Sequence, residues 1–444
     1  MKKIILSLLV FAFVMLGAQA KNAKSEFVDI INDSGVDMES ISISIKSTDN
    51  GKSIYALNEK FLMTPASVQK IYTTPVIVDT LGEDYEFVTE LFSRSEDEFV
   101  IKLSGDPYLS SSDLKKLIST LKPDTRRIYI DDSALDKKFW GEGWQWDDDM
   151  NTLMPRFGAY NLDKNLIKLT IMPSEEGKFA TIINPSKYPL VFFNNVETGD
   201  KTKIDIRRDN AISTNTLMLS GKVARPTTVY IPTINLQRYF NVQLSRVLEE
   251  RKIYLKENFI VGKKQPNDNS IATITHKIDR AVDDILKRSN NLVSETMFKL
   301  AGAKHMGIAT GSDAAGIKMF NDYCENLKID NSRIRVADAS GVSKNNLVST
   351  DFVSEFLVLN KDNSVYNYLA TPGQGTLTHR MLPLKGNLKA KTGTLSDVSS
   401  IAGFLTTKRG KNLAFCIIIN DMKLSNSDKK MLEDFIIREA YLRL

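Results

Sequence analysis

Apolar and polar residues alternate strictly along Ser40-Ile41-Ser42-Ile43-Ser44-Ile45-Lys46, the period of a strand with one face buried. Asn50-Gly51 supplies a turn, and residues 52–57 return as a second strand. The hairpin leads into Met63-Thr64-Pro65-Ala66-Ser67-Val68-Gln69-Lys70-Ile71-Tyr72-Thr73-Thr74. Pro65 suits a first helical turn and Thr64 suits an N-cap, so a helix is predicted to start here.

From about residue 85 to 262 the pattern changes to short β-branched runs at 99–103, 127–130, 166–172, 180–183, 191–193, 216–219 and 229–231. Turn signals separate them at Gly105-Asp106, Glu176-Gly177, Gly199-Asp200 and Asp209-Asn210. Helical spacing then covers 235–256, 279–304 and 314–327, followed by a hairpin of 401–406 with 412–419 and an amphipathic tail at 427–442. A chain of 444 residues exceeds the usual size of one core. The predicted organisation is a leader at 1–20, an α/β domain built from 21–84 and 263–444, and mostly-β modules inserted at 85–262.

Composition narrows the function classes. Apolar content of 42% and charged content of 25% are ordinary for a globular protein. The net charge of +5, of which Lys2 and Lys3 supply two, is spread without a basic run, so nothing argues for nucleic acid. Met1-Lys2-Lys3, an apolar stretch over 4–16 and Gly17-Ala18-Gln19-Ala20 read as a secretory signal peptide cut after Ala20. The expected location is therefore the periplasm or cell envelope; a membrane anchor would call for ~20 apolar residues. Cys324 and Cys416 fall in a predicted helix and a predicted strand, and both a disulfide and two buried thiols stay open. Three histidines without a Gly-x-Ser-x-Gly elbow give no Ser-His-Asp hydrolase, and no spacing of metal ligands is present.

The chemistry points instead to a serine and an amine. Ser67 falls in the first predicted turn, where helix N–H groups favour negative charge on oxygen, and Lys70 shares its face three residues on. Burial among Ala66, Val68 and Ile71 would draw a lysine down from ~10.4 until it accepts a proton. The same spacing at Ser112/Lys115 and Ser427/Lys430 lies in polar segments. Two patterns follow downstream: Ser289-Asn290-Asn291 after a charged helical segment, and Lys391-Thr392-Gly393-Thr394, the chain's only Lys-Thr-Gly. Ser-x-Asn also occurs at Ser213/Asn215 and Ser343/Asn345, so no single pattern decides.

In this order, Ser-x-x-Lys, Ser-x-Asn and Lys-Thr-Gly form the signature of penicillin-binding proteins and serine β-lactamases. The chain resembles the low-molecular-mass penicillin-binding proteins of the D-alanyl-D-alanine carboxypeptidase/endopeptidase family. Leu103-Ser104-Gly105-Asp106-Pro107-Tyr108-Leu109, Gly143-Trp144-Gln145-Trp146-Asp147-Asp148, Asp338-Ala339-Ser340-Gly341-Val342-Ser343 and Pro372-Gly373-Gln374-Gly375-Thr376-Leu377 resemble further segments of that family.

The resemblance implies a β-lactamase/transpeptidase-like fold, an antiparallel sheet flanked by helices. It implies a serine peptidase acting on peptidoglycan stem peptides, without metal or cofactor. Ser67 would be acylated, Lys70 would take its proton, Ser289 would relay a proton to the leaving amine, and Asn291 would bond Lys70 and the substrate amide. Lys391, Thr392, Gly393 and Thr394 would bind the terminal carboxylate, with Lys391 as a second cation helping to keep Lys70 neutral. Backbone N–H groups of Ser67 and Thr394 would receive the oxyanion. Asp148 and Lys344 are candidate substrate contacts, although Asp147-Asp148-Asp149 leaves the register of the acid open and Lys344 stands where many relatives have arginine. The implied partners are stem peptides and β-lactams as acylating inhibitors, and peripheral association with a membrane is left open. The alternatives are a β-lactamase or esterase of the same fold, or a non-catalytic wall-binding scaffold.

Overall fold

The computed structural model describes residues 23–209 and 213–444. The leader read at residues 1–20 lies outside the described residues. The chain divides into two compact units. Among the described residues, one comprises the chain from 23 to 68, Val348–Lys361 and Ala370–Leu444; the other comprises those of Gln69–Leu347 and Asp362–Leu369.

The first unit is built on a five-stranded antiparallel sheet. Its order is Leu388–Thr394, Val398–Thr406, Asn412–Asn420, Ile41–Ser47 and Ser53–Leu57. Ile41, Ile43 and Ile45 share a core with Phe27 and Ile31 of helix Ala23–Ser34 and with Leu432, Ile436 and Ile437 of helix Asn426–Arg443. The alternation at 40–46 predicts one solvated face, yet Ile41 to Lys46 are all buried. Helix Thr350–Leu359 covers the other face: Ser42 Oγ meets Thr350 Oγ1 and Ser44 Oγ meets Ser354 Oγ, each at 2.7 Å. Paired hydroxyls make a polar face compatible with burial.

The second unit holds a five-stranded mixed sheet in the order Ile260–Val261, Arg127–Asp131, Glu98–Lys102, Glu86–Ser93 and Asn269–Lys277. Two three-stranded sheets accompany it, one of Val191–Thr198, Thr216–Val223 and Lys203–Arg208, the other of Thr227–Pro232, Leu166–Met172 and Thr181–Ile183. Helix Lys70–Leu81 packs on helix Asn291–Met306, which packs on helix Asp313–Asn326. Gly302 permits the last contact, because a Cβ there would collide with the backbone of Ala315 and Gly316. Ten of the twelve residues of Lys70–Leu81 are buried, as expected of a helix enclosed on all sides. Cys324 and Cys416 are both free and buried.

Candidate active site

In the sheet unit the chain reaches Ser67 in a 3-10 turn that precedes the α-helix. Ala66–Gln69 is a single 3-10 turn, α-helix begins only at Lys70, and Ala66 has φ 47°. Thr64 is held from outside the turn, its N–H donating to Asn420 Oδ1 at 3.0 Å and its carbonyl accepting from Asn420 Nδ2 at 3.1 Å. Strand Leu388–Thr394 carries Lys391, fully buried, with Nζ donating to the Thr392 carbonyl at 2.7 Å. Thr392 is buried and Thr394 exposed. A Cβ on Gly393 would stand 2.8 Å from Ser67 N and 2.9 Å from Pro65 O. Only glycine lets this strand approach the Ser67 turn so closely.

In the helical unit Lys70 is fully enclosed. Its Nζ donates to Asn291 Oδ1 at 2.7 Å and to the Ser340 carbonyl at 2.6 Å. Burial pulls its amine down to about 7, against the opposing pull of Asp338 and Glu295. Desolvation is thus the leading cause of the lowered Lys70 amine.

Ser289 ends helix Ile278–Arg288 in a left-handed conformation, φ 61°, and Asn290 caps the next helix by accepting from Val293 N. This junction sets Asn291 at the first residue of the new helix, where its Nδ2 donates to the Leu153 carbonyl at 2.8 Å. One turn on, Glu295 is fully buried and accepts from Ala339 N at 3.2 Å and Ser340 N at 2.8 Å. Burial, then Asp338, pushes its carboxyl up. Glu295 thus holds the N–H side of the residue whose carbonyl receives Lys70.

Asp338 organises the same loop. It accepts from Gly341 N, Ser343 N, Asn346 Nδ2 and Trp144 Nε1 at 2.6 to 2.8 Å. Of the acids after Trp146, Asp149 pairs with Arg208 at 2.9 Å while Asp148 is half-buried. Partial burial and then Asp147 raise the Asp148 carboxyl. Lys344 is exposed. The contacts of Glu295 and Asn420 have no motif to announce them. For Glu295 the available signal is its spacing, four residues after Asn291 and hence on the same helix face.

A profile of the D-Ala-D-Ala carboxypeptidase 3 (S13) family matches residues 24–439. The fold is that of penicillin binding protein 4 from Haemophilus influenzae, whose crystal structure superposes with a TM-score of 0.81 over 94% of this chain and 99% of that one, at 22% identity. A second crystal structure of that protein, complexed with a β-lactam, gives 0.76 at the same identity, again over 94% of this chain and 99% of the other. The fold thus defines an α/β protein with the architecture of that penicillin binding protein 4. Among curated proteins, the D-alanyl-D-alanine carboxypeptidase DacB of Haemophilus influenzae is 23% identical over 413 residues, covering 87% of this chain and 86% of its own length. A D-alanyl-D-alanine carboxypeptidase of Actinomadura sp. is 23% identical over 446 residues, 91% of this chain and 82% of the relative. The chain belongs to the S13 family of serine D-alanyl-D-alanine carboxypeptidases.

Proposed function

We propose that this chain removes the terminal D-alanine from peptidoglycan stem peptides, and cuts D-alanyl cross-links, through an acyl-enzyme on Ser67. The observation that carries the reading is the Lys70 amine, enclosed, bonded to Asn291 and the Ser340 carbonyl, and drawn down to about 7. Such an amine is neutral near physiological pH and takes a proton from a hydroxyl.

Lys70 takes the Ser67 hydroxyl proton as Oγ bonds to the penultimate D-alanyl carbonyl carbon. Backbone N–H groups of Ser67 and Thr394 receive the negative charge on the carbonyl oxygen. The C–N bond breaks, and Ser289 passes the proton to the departing D-alanine amine. Water then splits the ester and restores Ser67. Lys391, Thr392 and Thr394 bind the terminal carboxylate, Gly393 lets their strand approach, and Asn291 holds both Lys70 and the substrate amide. Asp148 and Lys344 are further substrate contacts in this reading, residues 85–262 are modules inserted into the catalytic domain, and β-lactams acylate Ser67 in place of substrate.

Among the described residues no helix is long and apolar enough to cross a membrane. Export to the periplasm or cell envelope is read from the leader, and predicts a mature N-terminus at Lys21. The activity is tested by incubating the mature chain with monomeric and cross-linked muropeptides, with and without penicillin, and weighing the products. Loss of one alanine, and cleavage of cross-linked dimers, both blocked by penicillin, are expected. Unchanged muropeptides in every condition would remove the assignment. A labelled penicillin adduct that persists in Ser67→Ala would remove Ser67 as the nucleophile, and no adduct on the wild type would favour the scaffold alternative.

A further inference from the structure

Ala66, immediately before the nucleophile, has a left-handed backbone with φ 47°. A residue with a Cβ adopts that conformation only when its surroundings impose it. In the sheet unit two side chains impose it. Ser400, fully buried on strand Val398–Thr406, donates its Oγ to the Pro65 carbonyl at 2.6 Å. Asn420, the last residue of strand Asn412–Asn420, grips Thr64 at both its N–H and its carbonyl.

The register ties this grip to the Lys-Thr-Gly strand. Ser400 pairs across the sheet with Gly393, and Ser399 with Thr394. The Cβ that Gly393 lacks would collide with Ser400 Oγ as well as with Ser67 N. One hydroxyl therefore sets the spacing of the Ser67 turn from the strand that supplies Thr394 N–H. Both proposed oxyanion donors are referenced to it.

We propose that Ser400 and Asn420 are positioning residues for the reaction: together they clamp Thr64 and Pro65 so that the Ala66–Ser67 peptide holds its N–H towards the developing oxyanion. Neither carries a step of the chemistry. Without the Ser400 hydroxyl, the Pro65 carbonyl keeps the longer bond from Val68 N at 3.3 Å, and Ala66 is released towards the right-handed region. Small misplacements of a nucleophile or an oxyanion donor cost rate far more than binding. The proposal rests on Ser67 being the acylated residue.

The test measures the acylation rate by labelled penicillin and KM for a D-alanyl-D-alanine peptide in Ser400→Ala, Asn420→Ala and Ser44→Ala, each checked by thermal unfolding. Ser44 is the control: it loses an equally buried hydroxyl bond, to Ser354, in the same sheet but away from the turn. Ser400→Ala is expected to acylate at least about tenfold more slowly with KM within about threefold. Asn420→Ala should change the same way by a smaller factor, and Ser44→Ala should acylate at the wild-type rate. Should Ser400→Ala not fold, Asn420→Ala decides, since Asn420 sits at the half-buried strand end. Wild-type rates in both clamp variants, or equal slowing in Ser44→Ala, overturn the clamp while leaving the reading of Ser67 intact. A wild-type adduct mapped to a residue other than Ser67 overturns both.

Discussion

In the sheet unit the residues around Ser67 are placed by close packing and hydrogen bonds to backbone, whereas in the helical unit those around Lys70 are placed amid buried charge. Gly393 acts by leaving room beside Ser67 N and Pro65 O. Glu295 acts by carrying a titratable carboxyl group into the interior beside the Ser340 peptide. Geometry errors change a rate at every pH; errors of charge change the pH at which the rate appears. The two units should therefore fail in different ways.

The largest expected effect is on the helical side. Lys70→Met keeps the bulk and removes the amine, and should lower acylation by roughly a thousandfold or more, the scale on which loss of a proton-accepting partner is felt. Activity within tenfold of wild type would break the comparison at its root. On the sheet side, Gly393→Ala pushes a methyl against Ser67 N and should cost about a hundredfold. Its acylation profile should keep the wild-type pH dependence; a moved profile would show that the sheet side also acts through charge.

Glu295→Gln is the matching change in the helical unit. The Glu295 charge raises the Lys70 amine, but burial pushes the Glu295 carboxyl itself up to about 8, so its removal takes away only the fraction ionised near 7 and lets burial draw the amine lower by a small step. The pH at which acylation switches on should fall, by about one unit or less, with a rate loss of roughly tenfold from the disturbed Ser340 peptide. A rise in that pH would contradict the sign. The smallest effect belongs to Lys344, which is exposed. Lys344→Ala should change KM by no more than about threefold, since an exposed ionic contact contributes ~0–1 kcal/mol.

How much of this was legible in the sequence follows the same division. Charge and polarity patterns name Lys70 and Asn291, whose side chains lie 2.7 Å apart. Strand Leu166–Met172 and the helices at 313–326 and 426–443 follow periodicity to within a residue or so of their ends. Placement by packing leaves no such trace. Ser400 and Asn420 look like any polar strand residues, and their importance depends on which backbone atoms tertiary structure brings to them. The Ser42 and Ser44 face reads as solvated because periodicity cannot show that Thr350 and Ser354 will meet it. Likewise Pro65 promises an α-helix from its own position, and a left-handed Ala66 in a 3-10 turn delays it to Lys70.

The central claim is that an enclosed, neutral lysine activates the nucleophile, and the rate of acylation by penicillin against pH tests it most directly. Lys70 must be unprotonated to accept the Ser67 proton, so the rate should be low in acid, rise through about 7 and then level. A rate that climbs only near the ordinary lysine value of 10.5, or one indifferent to pH between 5 and 10, would contradict it.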